Sequence, residues 1–190
     1  MACIPKGTPG FDFDSRISNA RFNYVPKWIC YCESADDVIE ALRKARKEGL
    51  PVRVRAGGHH HEGMCSGDNV LMVDVSRMNK VVVDENAKTV TVEPGAKLKD
   101  IYAAVLGKGY LFPGGACGDV HVGGLVQGGG WGVFTRELGL TCDSLYSFKM
   151  VTWFKNEKGE DDFKVTPVNN PTSDLYWAVR GGGGGNFGVA

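Results

Sequence analysis

Val52-Arg-Val-Arg-Ala-Gly-Gly-His-His-His-Glu-Gly63 is the stretch on which the reading of this chain turns. A short strand of alternating character, from Pro51 to Arg55, empties into two adjacent glycines, and three histidines follow at once. Paired glycines let the backbone curl until successive N–H groups point into one concavity, which suits a phosphate or pyrophosphate. An imidazole directly behind such a nest lies beside whatever the nest holds. The pattern points to a nucleotide cofactor gripped by its phosphates and met by a histidine ring.

Upstream, Trp28 to Cys32 predicts a strand, and Ser34-Ala-Asp-Asp37 resembles a capping box with its acidic residue three after the serine. Val38, Ile39, Leu42 and Ala45 follow at helical spacing, with Lys44, Arg46 and Lys47 where the helix dipole favours positive charge. Gly49 ends this helix and Pro51 opens the next strand. Strand, helix and strand in so short a span form a β-α-β unit and favour a parallel pair. Residues 1–27, with Pro5, Pro9 and Pro26, read as an irregular lead-in. Downstream, Val70 to Val75 is a strand, Val81 to Val92 a hairpin, and Leu98, Ile101, Tyr102, Val105 and Leu106 mark a helix closed by Gly107 and Gly109. Leu145 to Lys155 and Asp162 to Val168 predict two more strands, and Ser173 to Arg180 a short helix.

The length of 190 residues suits one domain or two small ones, burying roughly 70% of the unfolded surface without help from disulfides. Lys+Arg and Asp+Glu are 22 each, a balance that argues against nucleic-acid and membrane-surface binding. Glycine is the outlier at 27, clustered at 57–58, 114–115, 123–124, 128–130 and 181–185. Clustered glycine in an otherwise globular composition means close backbone approach at several points. No apolar leader and no membrane-length apolar run is visible, so the six cysteines are expected as reduced, mostly buried thiols in a cytoplasmic chain. Cys30 and Cys32 are spaced i, i+2, which is a poor redox or zinc pattern.

Four readings of the histidines compete: a polar surface loop, a zinc site from His59, His61 and His121 or a cysteine, a general acid–base, and a covalent flavin attachment. The second glycine-rich region, Pro113-Gly-Gly-Ala-Cys-Gly-Asp-Val-His-Val-Gly-Gly-Leu-Val-Gln-Gly-Gly-Gly-Trp-Gly132, favours the last. Together with Arg55 to His59 and the closing Asp174-Leu-Tyr-Trp-Ala-Val-Arg-Gly-Gly-Gly-Gly-Gly-Asn-Phe-Gly188, it resembles the berberine bridge enzyme-like branch of the vanillyl-alcohol oxidase flavoprotein superfamily. The resemblance is to its bacterial members and covers nearly all of residues 20–190.

That resemblance implies an α+β, PCMH-type FAD-binding domain of two subdomains, 20–93 and 94–190, after a lead-in of 1–19. It implies FAD tethered twice, with His59 at the position that bonds the 8α carbon and Cys117 at the position that bonds C6 through sulfur. Arg55, Ala56, Gly57, Gly58 and His60 would line the pyrophosphate, with Gly63 and Cys65 beside the cofactor. Gly115, Gly118, Gly123, Gly124 and Trp131 would line the rest, and Gly188 and Val189 would approach the adenine. Backbone N–H groups of Gly114, Gly115 and Gly118 could lower the pKa of Cys117 for attack. Val120, three after the tethering cysteine, leans toward oxygen as electron acceptor. Departures from the family pattern are Gly118-Asp119 where Pro-Thr is common, His121 where glycine is common, and Cys65 where serine is frequent.

The implied function is oxidation of an alcohol, sugar or related small molecule, with hydride passing to the flavin. The catalytic base and substrate domain are expected downstream or on a second chain, with no nucleic acid, membrane or metal involved. Two other classes remain open at this point: a non-catalytic, coat-like flavoprotein, and the zinc module. Gly183-Gly-Gly-Asn-Phe-Gly188 satisfies G-x-G-x-x-G but follows a helix instead of a strand, which excludes a Rossmann fingerprint. Trp131, Trp153 and Trp177 read as core or wall residues, Cys142 as a buried thiol.

Overall fold

Leu-Met-Val-Asp at 71–74 is buried along its whole length, so it needs a neighbouring strand on each side. This computed structural model, which describes Met1–Ala190, supplies them. Strands β1 (Ala2–Pro5), β2 (Trp28–Tyr31), β3 (Val52–Arg55) and β4 (Leu71–Asp74) form one sheet in the order β1-β2-β4-β3. β4 pairs in parallel with both β2 and β3. The parallel pair expected within the β-α-β unit is thus divided, because the most apolar strand inserts between its two members.

The lead-in is more ordered than its prolines suggest. β1 pairs antiparallel with β2, setting Cys3 opposite Cys30, and the two form a disulfide. This corrects the expectation of reduced thiols for that pair: a cross-strand register brings their Cα atoms to 4.0 Å. A turn of helix, α1 (Phe11–Asp14), then buries Phe11 against Ile29 and Met72. Cys32, Cys65 and Cys142 are free and buried, whereas Cys117 is free and exposed. Burial pushes the Cys32 thiol up to about 12 and also raises Cys65 and Cys142. Under native conditions a thiol reagent is therefore expected to spare these three; labelling of Cys32 at the rate of an exposed thiol would contradict the packing.

Helix α2 (Ala35–Lys47) follows its capping pattern, with the Ser34 hydroxyl accepting from the Asp37 N–H. It buries Val38, Ala41, Leu42 and Ala45, and the larger side chains contribute roughly 1.5–3 kcal/mol each. Gly49, at φ +63°, turns the chain out. Glu48 clips the helix end to the start of β2, accepting from Lys44, Lys27 and the Trp28 indole. Those donors hold its carboxyl at about 2, below the usual 4.5. A depressed carboxylate contributes stability above its unfolded pKa and loses it as pH falls through the folded one. The stability gap between wild type and Glu48→Gln is expected to be constant above about 4.5 and to close as pH approaches about 2. A gap unchanged across that window in urea titrations would contradict this clip.

By internal contacts the chain forms two units, one of Met1–Arg77, Met150–Thr166 and Val189, the other of Met78–Lys149, Pro167–Gly188 and Ala190. In the first, residues from the hairpin β7 (Phe148–Lys155) and β8 (Asp161–Val168) join α2 through a two-pronged Arg43–Asp162 ion pair and Arg46 stacked over Phe163. In the second, hairpin β5 (Val81–Asp84) and β6 (Thr89–Val92) lays Val81, Val83, Val90 and Val92 on a core of Ala96, Leu98, Ile101, Val105 and Val122. That core belongs mostly to α3 (Leu98–Leu106), and short helices α4 (Val122–Gln127), α5 (Thr135–Leu138) and α6 (Asp174–Val179) follow. The mixed helix and strand content matches the α+β reading.

Three tryptophans differ from the expectation that they pack inside: Trp131, Trp153 and Trp177 are 75%, 56% and 80% exposed. On α6 the inward face belongs to Tyr176 and Val179, which leaves Trp177 outward. No helix is long and apolar enough to cross a membrane.

Candidate functional site

In the first unit, β3 delivers Arg55 into the interior. Its guanidinium pairs with the buried carboxylate of Asp74 and donates to the carbonyls of Asp14 and Arg16. Asp74 in turn accepts from the N–H and hydroxyl of Ser76. Arg55 was expected to line a pyrophosphate; its side chain has protein partners on Nε and on Nη1. An arginine fork next to a buried carboxylate satisfies that charge first.

What this stretch offers a ligand is backbone. No N–H from Ala56 to His59 donates to a protein acceptor, although Gly58 is buried and at φ +72°, whereas the His60 N–H faces the Cys65 sulfur. The loop's carbonyls are held: Gly58 accepts from both the N–H and the hydroxyl of Ser18, and His61 accepts from the Asn19 side-chain amide. Consecutive backbone donors without protein acceptors are available to a bound anion.

Of the three histidines only His59 is partly buried. His60 turns its Nδ1 back to accept from the Glu62 N–H at 3.1 Å, so a neutral ring carries its proton on Nε2. Gly63 has a packing reason for its identity, since a Cβ there would lie 2.8 Å from the Phe22 ring. Cys65 is buried with its thiol pKa raised, which suits it poorly to compete for a cofactor. No three His, Cys, Asp or Glu side chains converge to hold a metal ion. The zinc alternative through His59, His61 and His121 finds no support in this arrangement.

In the second unit, Cys117 stands exposed on the loop before α4. The loop's carbonyls are again occupied: Cys117 accepts from Val120, Gly118 from Lys99 and Val120 from Leu98. The Tyr102 hydroxyl donates to the Gly115 carbonyl. Gly114 N–H bonds the Phe112 carbonyl, so it is not available to Cys117. Val120 packs against the α3 core.

The paired glycines 123 and 124 differ in cause. A Cβ on Gly123 would meet Pro94 at 2.7 Å, so protein packing demands glycine there. A Cβ on Gly124 would meet nothing within 4 Å. An exposed helical glycine with open space above it accommodates the close approach of a ligand. Trp131 lies outward beside Gly130 at φ +78° and Gly132, whose Cβ would overlap the Gly114 carbonyl. Gly132→Ala is expected to destabilise this unit by about 1–3 kcal/mol, as overpacking does; urea unfolding at wild-type stability would contradict the close approach.

At the chain's last residues, Val189 is buried and exchanges both backbone hydrogen bonds with Val151. Val189 was expected near an adenine; its N–H and carbonyl are both paired within the protein. Gly188 keeps its freedom at φ +148°.

Three contributors escaped the sequence reading. Ser18 and Asn19 sit in the irregular lead-in, some forty residues from the loop they hold. Gln127 is buried; its carbonyl accepts from Gly181 and Gly183, and its amide donates to Gly123. A polar residue at the last position of a glycine-rich helix was the one available signal.

Residues 26–154, more than half of the chain, match the FAD binding domain family. An FAD-linked oxidoreductase of Bacillus subtilis is 39% identical over 98% of this chain and 41% of its own length. Aclacinomycin-N/aclacinomycin-A oxidase of Streptomyces galilaeus is 36% identical over 94% and 33%. Among solved structures, a glycopeptide hexose oxidase complexed with teicoplanin superposes with a TM-score of 0.87 at 34% identity, over 99% of this chain and 38% of the other.

The chain therefore belongs to the FAD-binding domain family, in its PCMH-type architecture. Its relatives are berberine bridge enzyme-like FAD-linked oxidoreductases, and it spans only about 33–41% of the length of those compared above.

Proposed function

We propose that this chain holds one FAD bonded both to His59 and to Cys117, and that it is the FAD-binding part of an oxidase acting on an alcohol, sugar or related small molecule. The observation that carries the reading is His59: the one partly buried imidazole of its loop, directly behind backbone donors that have no protein acceptor. The exposed, free Cys117 thiol supports the second bond. The N–H groups of Ala56 to His59 would hold the pyrophosphate, and the open face of Gly124 would admit the cofactor's approach. FAD, when bound, supplies the two-electron chemistry, while the protein supplies binding, orientation and electrostatics.

Two relatives are oxidases by name, acting on aclacinomycin and on a glycopeptide hexose, which supports a sugar or alcohol substrate. Val120 on the Cys117 loop supports dioxygen as acceptor. The substrate-binding part and the base that takes the substrate proton are assigned to the remainder of the relatives' length, on a downstream segment or a second chain. A cytoplasmic setting belongs to the same reading; the four free cysteines support it and the Cys3–Cys30 disulfide weighs against it.

A denaturing gel of acid-treated protein, viewed under ultraviolet light, tests the covalent bond. Fluorescence migrating with the polypeptide is expected; a dark band from protein made in flavin-replete cells would contradict it.

A further inference from the structure

Between α1 and β2 the chain runs past the histidine loop and touches it repeatedly. Phe11 anchors the start of this run in the core with Ile29 and Met72. Arg55 then holds the carbonyls of Asp14 and Arg16. Ser18 gives two hydrogen bonds to the Gly58 carbonyl, N–H at 3.0 Å and hydroxyl at 2.8 Å, and Asn19 gives its amide to the His61 carbonyl at 2.6 Å. The bonds to Gly58 and His61 bracket His59 on both sides. Farther along, Phe22 and Tyr24 stack on one another and lie against the position of Gly63, where the loop ends.

We propose that Asp14–Asn19 is a brace that sets the conformation of the histidine loop, with Ser18 and Asn19 as positioning residues for the His59 ring. A loop with two consecutive glycines has no side-chain preference of its own for one curl. Fixing the carbonyls of residues 58 and 61 from outside orients the intervening peptides, turns their N–H groups to the opposite side, and aims the ring that projects between them. The consequence for His59 rests on the flavin reading above; the brace itself does not. Bond formation joins a His59 ring nitrogen to the flavin 8α carbon. The ring N–H proton and one proton from that carbon leave, two electrons remain on the flavin, and dioxygen then takes them. A bond of that kind needs the nitrogen held within reach and in line, so it is sensitive to a loosened loop, whereas bonding at Cys117 depends on a different loop.

The test is a Ser18→Ala, Asn19→Ala double variant, purified from flavin-replete cells and compared with wild type by peptide mapping and by hydrogen exchange. Flavin on the His59 peptide is expected to fall about tenfold, from the loss of two ordinary hydrogen bonds. Flavin on the Cys117 peptide should hold, the melting temperature should fall by only a few degrees, and Ser18→Thr with Asn19 intact should restore the His59 bond. Exchange of the hydrogen-bonded amides of Ser18, Glu62 and Gly63 should quicken about tenfold, with β2 and β4 unchanged. Wild-type levels of His59 flavin in the double variant, or unchanged exchange in the loop, would overturn the brace. Wild type with no flavin on His59 would instead overturn the flavin reading, while the exchange data still decide on the brace. If the double variant does not fold, Asn19→Ala alone is read in the same way.

Discussion

His59→Ala is expected to remove the histidyl bond completely, leaving FAD attached through Cys117 alone, and His59→Ala with Cys117→Ala is expected to yield no covalently retained flavin. The neighbours cannot stand in. His60 is exposed and turned back onto the Glu62 N–H, and His61 is exposed, with its carbonyl tied to Asn19. The backbone donors at 56–59 are untouched by the substitution, so FAD binding without the bond should persist in the single variant. Acid precipitation separates the two forms: bound flavin is released to the supernatant and tethered flavin stays with the pellet. Full histidyl attachment in His59→Ala would move the tether to another residue.

Arg55→Ala is expected to produce the largest loss of stability of any substitution near the loop, about 3–5 kcal/mol. It leaves Asp74, at 1% exposure, with a buried charge facing no cation, and frees the carbonyls of Asp14 and Arg16. Domains of this kind are stable by only about 5–15 kcal/mol in total, so the variant should unfold at much lower urea. Arg55→Lys retains charge but not the fork that reaches Asp74 and the two carbonyls together, and should recover only part of the loss. Unfolding of Arg55→Ala within about 1 kcal/mol of wild type, the range of an exposed ion pair, would show that the pair is not buried in solution.

Local pattern carried much of the fold. The Ser34 cap, the apolar spacing of α2, Gly49 and the 81–92 hairpin are each decided by residues near one another in sequence, and each stands where expected. What was illegible depends on distant partners. That β4 inserts between β2 and β3 follows from four consecutive buried residues competing for neighbours, a property of the assembled sheet. Cys3 meets Cys30 because β1 takes one particular register, and nothing in an irregular, proline-marked lead-in announces a strand. Trp177 faces outward because α6, at six residues, is too short for periodicity to say which side is inner.

The site divides along the same line. The glycine pair and the histidines announced free backbone donors, and Ala56 to His59 have them; Gly124 has open space above it. Glycine, however, has two causes that sequence cannot separate. At 63, 123 and 132 the reason is a neighbouring ring, proline or carbonyl of the protein itself. Arg55 is ambiguous in a similar way, since an arginine beside a glycine pair has two candidate anions and Asp74 is visible only after folding. Ser18 and Asn19 had no pattern to find.

Mass mapping of protease-digested wild-type protein, kept under acid, tests the central claim most directly. The account predicts one FAD joining the peptide that contains His59 to the peptide that contains Cys117, recovered as a single cross-linked species. Recovery of both peptides at their unmodified masses, from protein that was yellow before digestion, would contradict it.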